Sequence, residues 1–425
     1  MNFIGRRPFS QVIAVIALGV LLSGCASHTQ YRTSAEPCNT SSKSNLCESA
    51  ILEETKDYLL GFVELDDQGW LWSRDQLKTV LDRLYAEDAR QGLLMLVFVH
   101  GWKHNASSGD SNVVMFRKNL SILSRLEKAA SRKEGRPARK MVGVYVGWRG
   151  LSQNIWGLKN LTFWERKNTA HEVGRGALVE LLVRLEDISN NSRVLHQGER
   201  KATQLIVVGH SFGGAATYSA IAPILVERMI ETIDVKGDAH PPRGFGDLVI
   251  LINPAFEAAR YGVLQDVAEH THFFTNQPVS LAIFTSKTDS ATKAAFPLGR
   301  KVSTMFDNYK NSFEKKANQT AVGHFAPYIT HDLIATSKSV KSDEAEVEDS
   351  SDKVVSLKSG MKKSAAKKTV SFTSGLLEPR DPTHNPFMPL YVVSVDTKII
   401  PDHNTIDTKP FLNFLREFLL AYTPE

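Results

Sequence analysis

The chain has 425 residues, 42% of them hydrophobic and 23% charged, and a net charge of +5. That is enough for one large α/β domain with appendages, or for two ordinary domains, each with a sizeable core. The positive charge is mild and mostly scattered, too mild to imply nucleic acid, and no nucleic-acid partner is expected.

Arg6-Arg7 precede an apolar run at residues 12–22. The run is too short to span a bilayer comfortably and fits the core of a secretory signal. It ends in Leu22-Ser23-Gly24-Cys25, which resembles the lipobox of bacterial lipoproteins. The resemblance implies acylation of the Cys25 thiol and cleavage before it. Residues 1–24 are then a signal peptide and residues 25–50 a lipidated flexible tether that holds the protein to a membrane. An ordinary signal peptide or an uncut anchor, with a chance cysteine, is the alternative. Ala26, rather than an aspartate, follows the cysteine. By the same resemblance this points to the outer membrane of a Gram-negative cell, facing the periplasm. Arg6-Arg7-Pro8-Phe9 resembles a twin-arginine signal only faintly, and the general export route is the expectation. Cys38 and Cys47 are the two remaining cysteines. Close in sequence and in an oxidising compartment, they are expected to form a disulfide, two free thiols being the alternative. Residues 26–45 are rich in Ser, Thr and Asn and read as the tether.

The body of the domain, residues 51–336, opens with two alternating stretches at 61–65 and 69–72. Asp66-Asp67-Gln68-Gly69 lies between them, and together they predict an antiparallel hairpin. Residues 74–87 place Leu77, Val80, Leu81 and Leu84 on one helical face. Residues 93–99 form a wholly apolar run that predicts a buried strand, followed by His100-Gly101-Trp102. His100 and His104 lie on a strand-to-loop turn rather than on one helical face, so no metal site is expected. A helix over 113–130 and a strand over 141–148 follow. Residues 151–168 carry Trp156, Phe163 and Trp164 and form either a short cap or a packed surface helix. Residues 169–187 predict a further helix.

Gly209-His210-Ser211-Phe212-Gly213 is the most informative stretch. The β-branched run Gln204-Leu205-Ile206-Val207-Val208 precedes it, and small, helix-compatible residues follow. A serine between strand and helix sits on a tight turn that presents its hydroxyl at the sheet edge. This strand–turn–helix setting resembles the nucleophile turn of the serine esterases and lipases of the α/β-hydrolase superfamily, over roughly residues 60–422. The resemblance implies a mostly parallel central sheet with helices on both faces. It makes Ser211 the nucleophile and the backbone N–H groups of Trp102 and Phe212 the oxyanion donors.

Strands are predicted over 247–254 and 280–285 and alternate with helices, as a parallel sheet requires. In the family the acid and then the histidine follow the serine, in loops after later strands. Asp289, just past the strand ending at Thr285, is the expected acid, with Glu257 as runner-up and a helix N-cap as the bland role for Asp289. His403 lies between the strand at 390–395 and a helix at 410–421, in residues 381–425, and is the expected base. His384 reads as structural; His324 and His331 either pack or line the pocket, and packing is favoured. Residues 337–380 are sparse in apolar residues, acidic and then basic, and read as a disordered insertion; contact with an anionic lipid or cell-wall polymer is the alternative. The expected activity is hydrolysis of a small-molecule or lipid carboxylic ester through an acyl-enzyme on Ser211, with no cofactor or metal. A non-catalytic lipid-anchored scaffold, or an acyltransferase or peptidase with the same three side chains, are the rivals. Oligomeric state is not legible.

Overall fold

Every residue of Leu93–Val99 and Gln204–His210 is buried, and successive side chains alternate between two apolar clusters. Val97, Val99, Leu205 and Val207 join one cluster. Leu96, Phe98, Ile206 and Val208 join the other. A strand apolar on both faces must be covered on both faces, so the sheet becomes the middle layer of three. The computed structural model describes residues 29–39, 45–150, 163–195, 202–232, 240–274, 277–336, 353–354, 356–357, 369–381 and 387–422.

Among these residues the strands are β1 (Cys38–Asn39), β2 (Leu52–Glu54), β3 (Tyr58–Glu64), β4 (Leu93–Val99), β5 (Lys140–Gly147), β6 (Gln204–His210), β7 (Leu248–Ile252), β8 (Leu281–Ser286), β9 (His331–Ala335), β10 (Val370–Ser371), β11 (Gly375–Pro379) and β12 (Leu390–Val395). They form one twelve-stranded sheet in the order β1-β2-β3-β5-β4-β6-β7-β8-β12-β9-β11-β10. From β3 to β9 in that order every pairing is parallel. The helices are α1 (Arg74–Asp88), α2 (Ser111–Glu134), α3 (Phe163–Arg175), α4 (Ala177–Leu195), α5 (Phe212–Ile230), α6 (Ala258–Glu269), α7 (Phe296–Ser303), α8 (Ser312–Gln319) and α9 (Lys409–Tyr422). Side chains of α1, α3, α4, α5 and α6 fill one cluster, and those of α2 and α9 the other. The fold is thus mixed α/β with a mostly parallel sheet. Among the described residues no helix is long and apolar enough to cross a membrane.

Four expectations are corrected. The hairpin at 61–72 shrinks to a single Leu65–Leu71 bridge. β3 pairs instead with β5 and β2, because a strand buried along its whole length needs hydrogen-bond partners for its backbone on both edges. The helix expected over 169–187 is two helices, α3 and α4, separated at Gly176, where a side chain would meet the Gly69 carbonyl. Of the tether expected over 25–50, residues 29–39 and 45–50 are docked onto the sheet. Arg32 is fully buried, 3.0 Å from Glu53 and stacked on the Phe62 ring. Its N–H and that of Tyr31 donate to Glu64. Cys38 and Cys47 form a disulfide, with Cα atoms 5.1 Å apart. Finally, the insertion expected over 337–380 contains folded parts. β10 and β11 extend the sheet from β9, and Val354 and Leu357 are buried in the α9-side cluster. Residues 1–28, with Cys25 and the signal, and residues 337–352 and 358–368 lie outside the described residues.

Candidate active site

Parallel strands bring their carboxyl ends to one edge, and the loops leaving that edge are where distant residues can meet. β4, β6, β7, β8 and β12 are near neighbours in the sheet. The loops after them carry Gly101, Ser211, Asn253, Asp289 and His403.

Ser211 follows the last residue of β6 and precedes the first of α5, with φ 55° and ψ −119°. A non-glycine residue at positive φ is strained and needs support on all sides. Its N–H donates to Ile252 O at 2.9 Å, and its carbonyl accepts from Ala215 and Ala255 at 3.1 Å. The turn has no room for larger neighbours. A Cβ on Gly213 would lie 2.1 Å from Val99 O, and one on Gly101 would lie 2.8 Å from the Ser211 Cβ.

The three side chains singled out in the sequence converge. Ser211 Oγ lies 2.7 Å from His403 Nε2, and His403 Nδ1 lies 2.8 Å from Asp289 Oδ2. All three are buried. Burial pushes the Asp289 carboxyl up. The hydrogen bond and charge of His403, with bonds from the Thr292 hydroxyl and N–H, outweigh burial and hold it below its ordinary value. An ionised carboxylate at Nδ1 fixes the imidazole with its proton on Nδ1, leaving Nε2 as acceptor for the serine hydroxyl. Such a relay can move a proton from Ser211 and return it.

The loop carrying His403 is moored by residues that the sequence did not single out. Asn253, buried and at φ 45°, donates from Nδ2 to the carbonyls of His403 at 3.0 Å and Asp402 at 3.2 Å. Its Oδ1 accepts from Ser286 N–H at 2.9 Å. His210 Nε2 donates to His403 O at 2.9 Å, and burial brings this imidazole down to about 3, so it stays neutral. The Ser286 and Thr288 hydroxyls donate to Ile400 O and Pro401 O, each at 2.6 Å. The available signal was an asparagine closing a strand before Pro254, because Asn tolerates the left-handed region that most residues avoid.

His100 orders its loop. Its Nδ1–H donates to Gly101 O at 2.9 Å, its Nε2 accepts from Trp148 N–H at 3.1 Å, and its ring stacks on the Trp148 ring. Burial brings it down to about 4. His104 faces Asp110 at 3.0 Å. Trp102 is the third residue past β4, half-buried beneath the Lys103 ammonium. Phe212 begins α5, whose N-terminal N–H groups point toward the Ser211 turn. Glu257, the runner-up acid, does not reach the imidazole. It is paired with Lys167 at 2.6 Å, Arg260 at 2.9 Å and Arg300 at 3.1 Å. His324 Nε2 lies 3.0 Å from the Thr292 hydroxyl, behind Asp289, and His331 bonds the Thr330 hydroxyl. α3 packs along α5, with Gly174 against Ala216 O. Residues 151–162 lie outside the described residues, so the expected cap is described only from Phe163 onward.

No family model matches the chain. No curated protein matches it. Among solved structures it is similar to an uncharacterized protein from Bacillus cereus ATCC 10987, at 12% identity and a TM-score of 0.20. That alignment covers 51% of this chain and 55% of the other. The chain therefore spans about half the length of that neighbour.

Proposed function

We propose that the chain is a serine hydrolase of the α/β-hydrolase type that cleaves carboxylic esters. One observation carries the reading: a strained serine between strand and helix, 2.7 Å from an imidazole whose other nitrogen meets a buried carboxylate at 2.8 Å. Ser211 Oγ attacks the ester carbonyl carbon while His403 Nε2 takes its proton. The resulting oxyanion is held by the N–H groups of Trp102 and Phe212. As the tetrahedral intermediate collapses, the proton passes from Nε2 to the leaving alkoxide and the alcohol departs. Water, deprotonated by the same imidazole, then releases the acyl group and restores the serine. Asp289 keeps the imidazole in the productive tautomer and steadies its positive charge. The substrate is a small-molecule or lipid ester.

A fluorophosphonate probe should label the wild-type protein and not Ser211→Ala. Equal labelling of both would sink the proposal. Turnover of short-chain p-nitrophenyl esters separates the enzyme from a scaffold, and competing alcohol or amine acceptors separate hydrolysis from acyl transfer. We further propose that Cys25 is acylated and that the protein is held at the outer membrane facing the periplasm. Labelled palmitate should enter the wild type and not Cys25→Ser.

A further inference from the structure

Between β8 and β9 the chain leaves the sheet through the turn Ala291–Ala295, α7 and α8. The amphipathicity of α7 and the turn after it is inverted. Phe296, Arg300 and Thr304 recur every four residues and face the protein. Phe296 and Thr304 are buried, and the Arg300 guanidinium reaches Glu257 at 3.1 Å and Asn318 O at 3.2 Å. Leu298 and Val302 occupy the opposite side of the helix, 68% and 67% exposed, and Met305 and Phe306 follow in the turn, 67% and 88% exposed. Folding normally turns such a stripe toward the core. Here an arginine takes an inward place, and four large apolar side chains remain in water. Four large apolar side chains exposed within nine residues of chain mark an interaction surface.

The surroundings of the stripe define its partner. Lys301, Lys310, Lys315 and Lys316 are exposed, and among the described residues none is held in an ion pair. α8, which carries two of them, packs beside α7. Asp307 and Glu314 are the acidic residues of this stretch, and the Glu314 carboxylate accepts the Lys310 backbone N–H at 2.6 Å rather than an ammonium. Apolar residues ringed by unpaired lysines match the headgroup layer of an anionic bilayer, with acyl-chain boundary beneath and phosphates above. A second copy of the chain fits poorly, because a two-fold contact would set these lysines against one another.

We propose that α7, the turn after it and the lysines of α8 dock this protein on an anionic phospholipid surface. Leu298, Val302, Met305 and Phe306 enter the headgroup layer. The element begins within seven residues of Asp289 and is braced to Glu257, so docking places the serine edge of the sheet close to the lipid. The binding does not depend on the hydrolase reading.

The test uses the full chain with Cys25→Ser and Ser211→Ala, which removes acylation and any turnover of lipid. A nitrobenzoxadiazole label at Phe306→Cys should brighten and shift blue on phosphatidylcholine vesicles doped with phosphatidylglycerol, and much less on phosphatidylcholine alone. The same label at Lys128→Cys on α2 should not respond. Lys301→Gln, Lys315→Gln and Lys316→Gln together should lower vesicle partitioning about a hundredfold, about fivefold for each charge. As a label-free check, Leu298→Ser, Met305→Ser and Phe306→Ser together should abolish co-flotation of the label site's parent chain with these vesicles beyond what its N-terminus supports, without lowering Tm. No response at position 306, an equal response at position 128, or a concentration-dependent blue shift without lipid would each overturn the proposal.

Discussion

Asp289 and Glu257 lie just past the carboxyl ends of the adjacent strands β8 and β7, both buried, and of the two Asp289 is the one hydrogen-bonded to an imidazole. Glu257 is surrounded by Lys167, Arg260 and Arg300. Burial pushes its carboxyl up, but these cations outweigh burial and bring it down to about 2. Lys167 is held below its ordinary value by burial, which its pairing with Glu257 only partly offsets, and Arg300 and Arg260 add repulsion. A carboxylate saturated by fixed cations ties elements together, here α3, α6 and α7. A carboxylate facing a single imidazole can respond when that imidazole gains or loses a proton. Two acids at one sheet edge thus differ in role because of their partners and not because of their depth.

The largest effect should separate the two acids directly. Asp289→Asn should lower ester turnover about 10⁴-fold, because an amide no longer holds the proton on His403 Nδ1. Glu257→Gln should leave kcat near wild type. An equal collapse in both variants would erase the distinction. Next, Glu257→Gln should cost about 3–5 kcal/mol of stability, because it strands the buried Lys167 ammonium without its counter-charge. Urea unfolding reads this, and an unchanged midpoint would mean that the cluster ties nothing together.

Asn253→Ala should lower kcat about a hundredfold with KM little changed, since the His403 loop loses the donors that fix its height above Ser211. A change in KM alone would contradict that role. The smallest effect concerns His171, which lies beside the Glu257 cluster and bonds the Ser219 hydroxyl at 2.8 Å. Burial, then the charges of Arg260 and Lys167, bring its imidazole down to about 3. Below its unfolded value of 6.5, the unfolded chain takes up a proton that the folded chain refuses, so stability falls as pH falls. His171→Gln should remove about 1.4 kcal/mol per pH unit from that slope between roughly pH 6 and 4. An unchanged slope in urea titrations would show that this ring protonates in place.

The strands around the site were legible because their signal is local. Apolar runs at 93–99 and 204–208 need both faces covered wherever they lie in the chain, and a Gly-x-Ser-x-Gly between strand and helix specifies its own turn. The order of Ser211, Asp289 and His403 came from the family resemblance, which sets each of them after a strand, and those strands were recognisable in the sequence. What the sequence left open depended on partners far along the chain. Arg32 looks like part of a polar tether until Glu53, Glu64 and Phe62 surround it. Gly375–Pro379 looks disordered until β9 offers it an edge, and Glu257 competes with Asp289 until three cations close around it. Asn253 and the outward stripe of α7 are of the same kind. Periodicity and spacing are properties of neighbours in sequence, and so they could be read from the letters. Burial, ion pairing and the direction a helix faces are properties of neighbours in space, and only the assembled sheet supplied those.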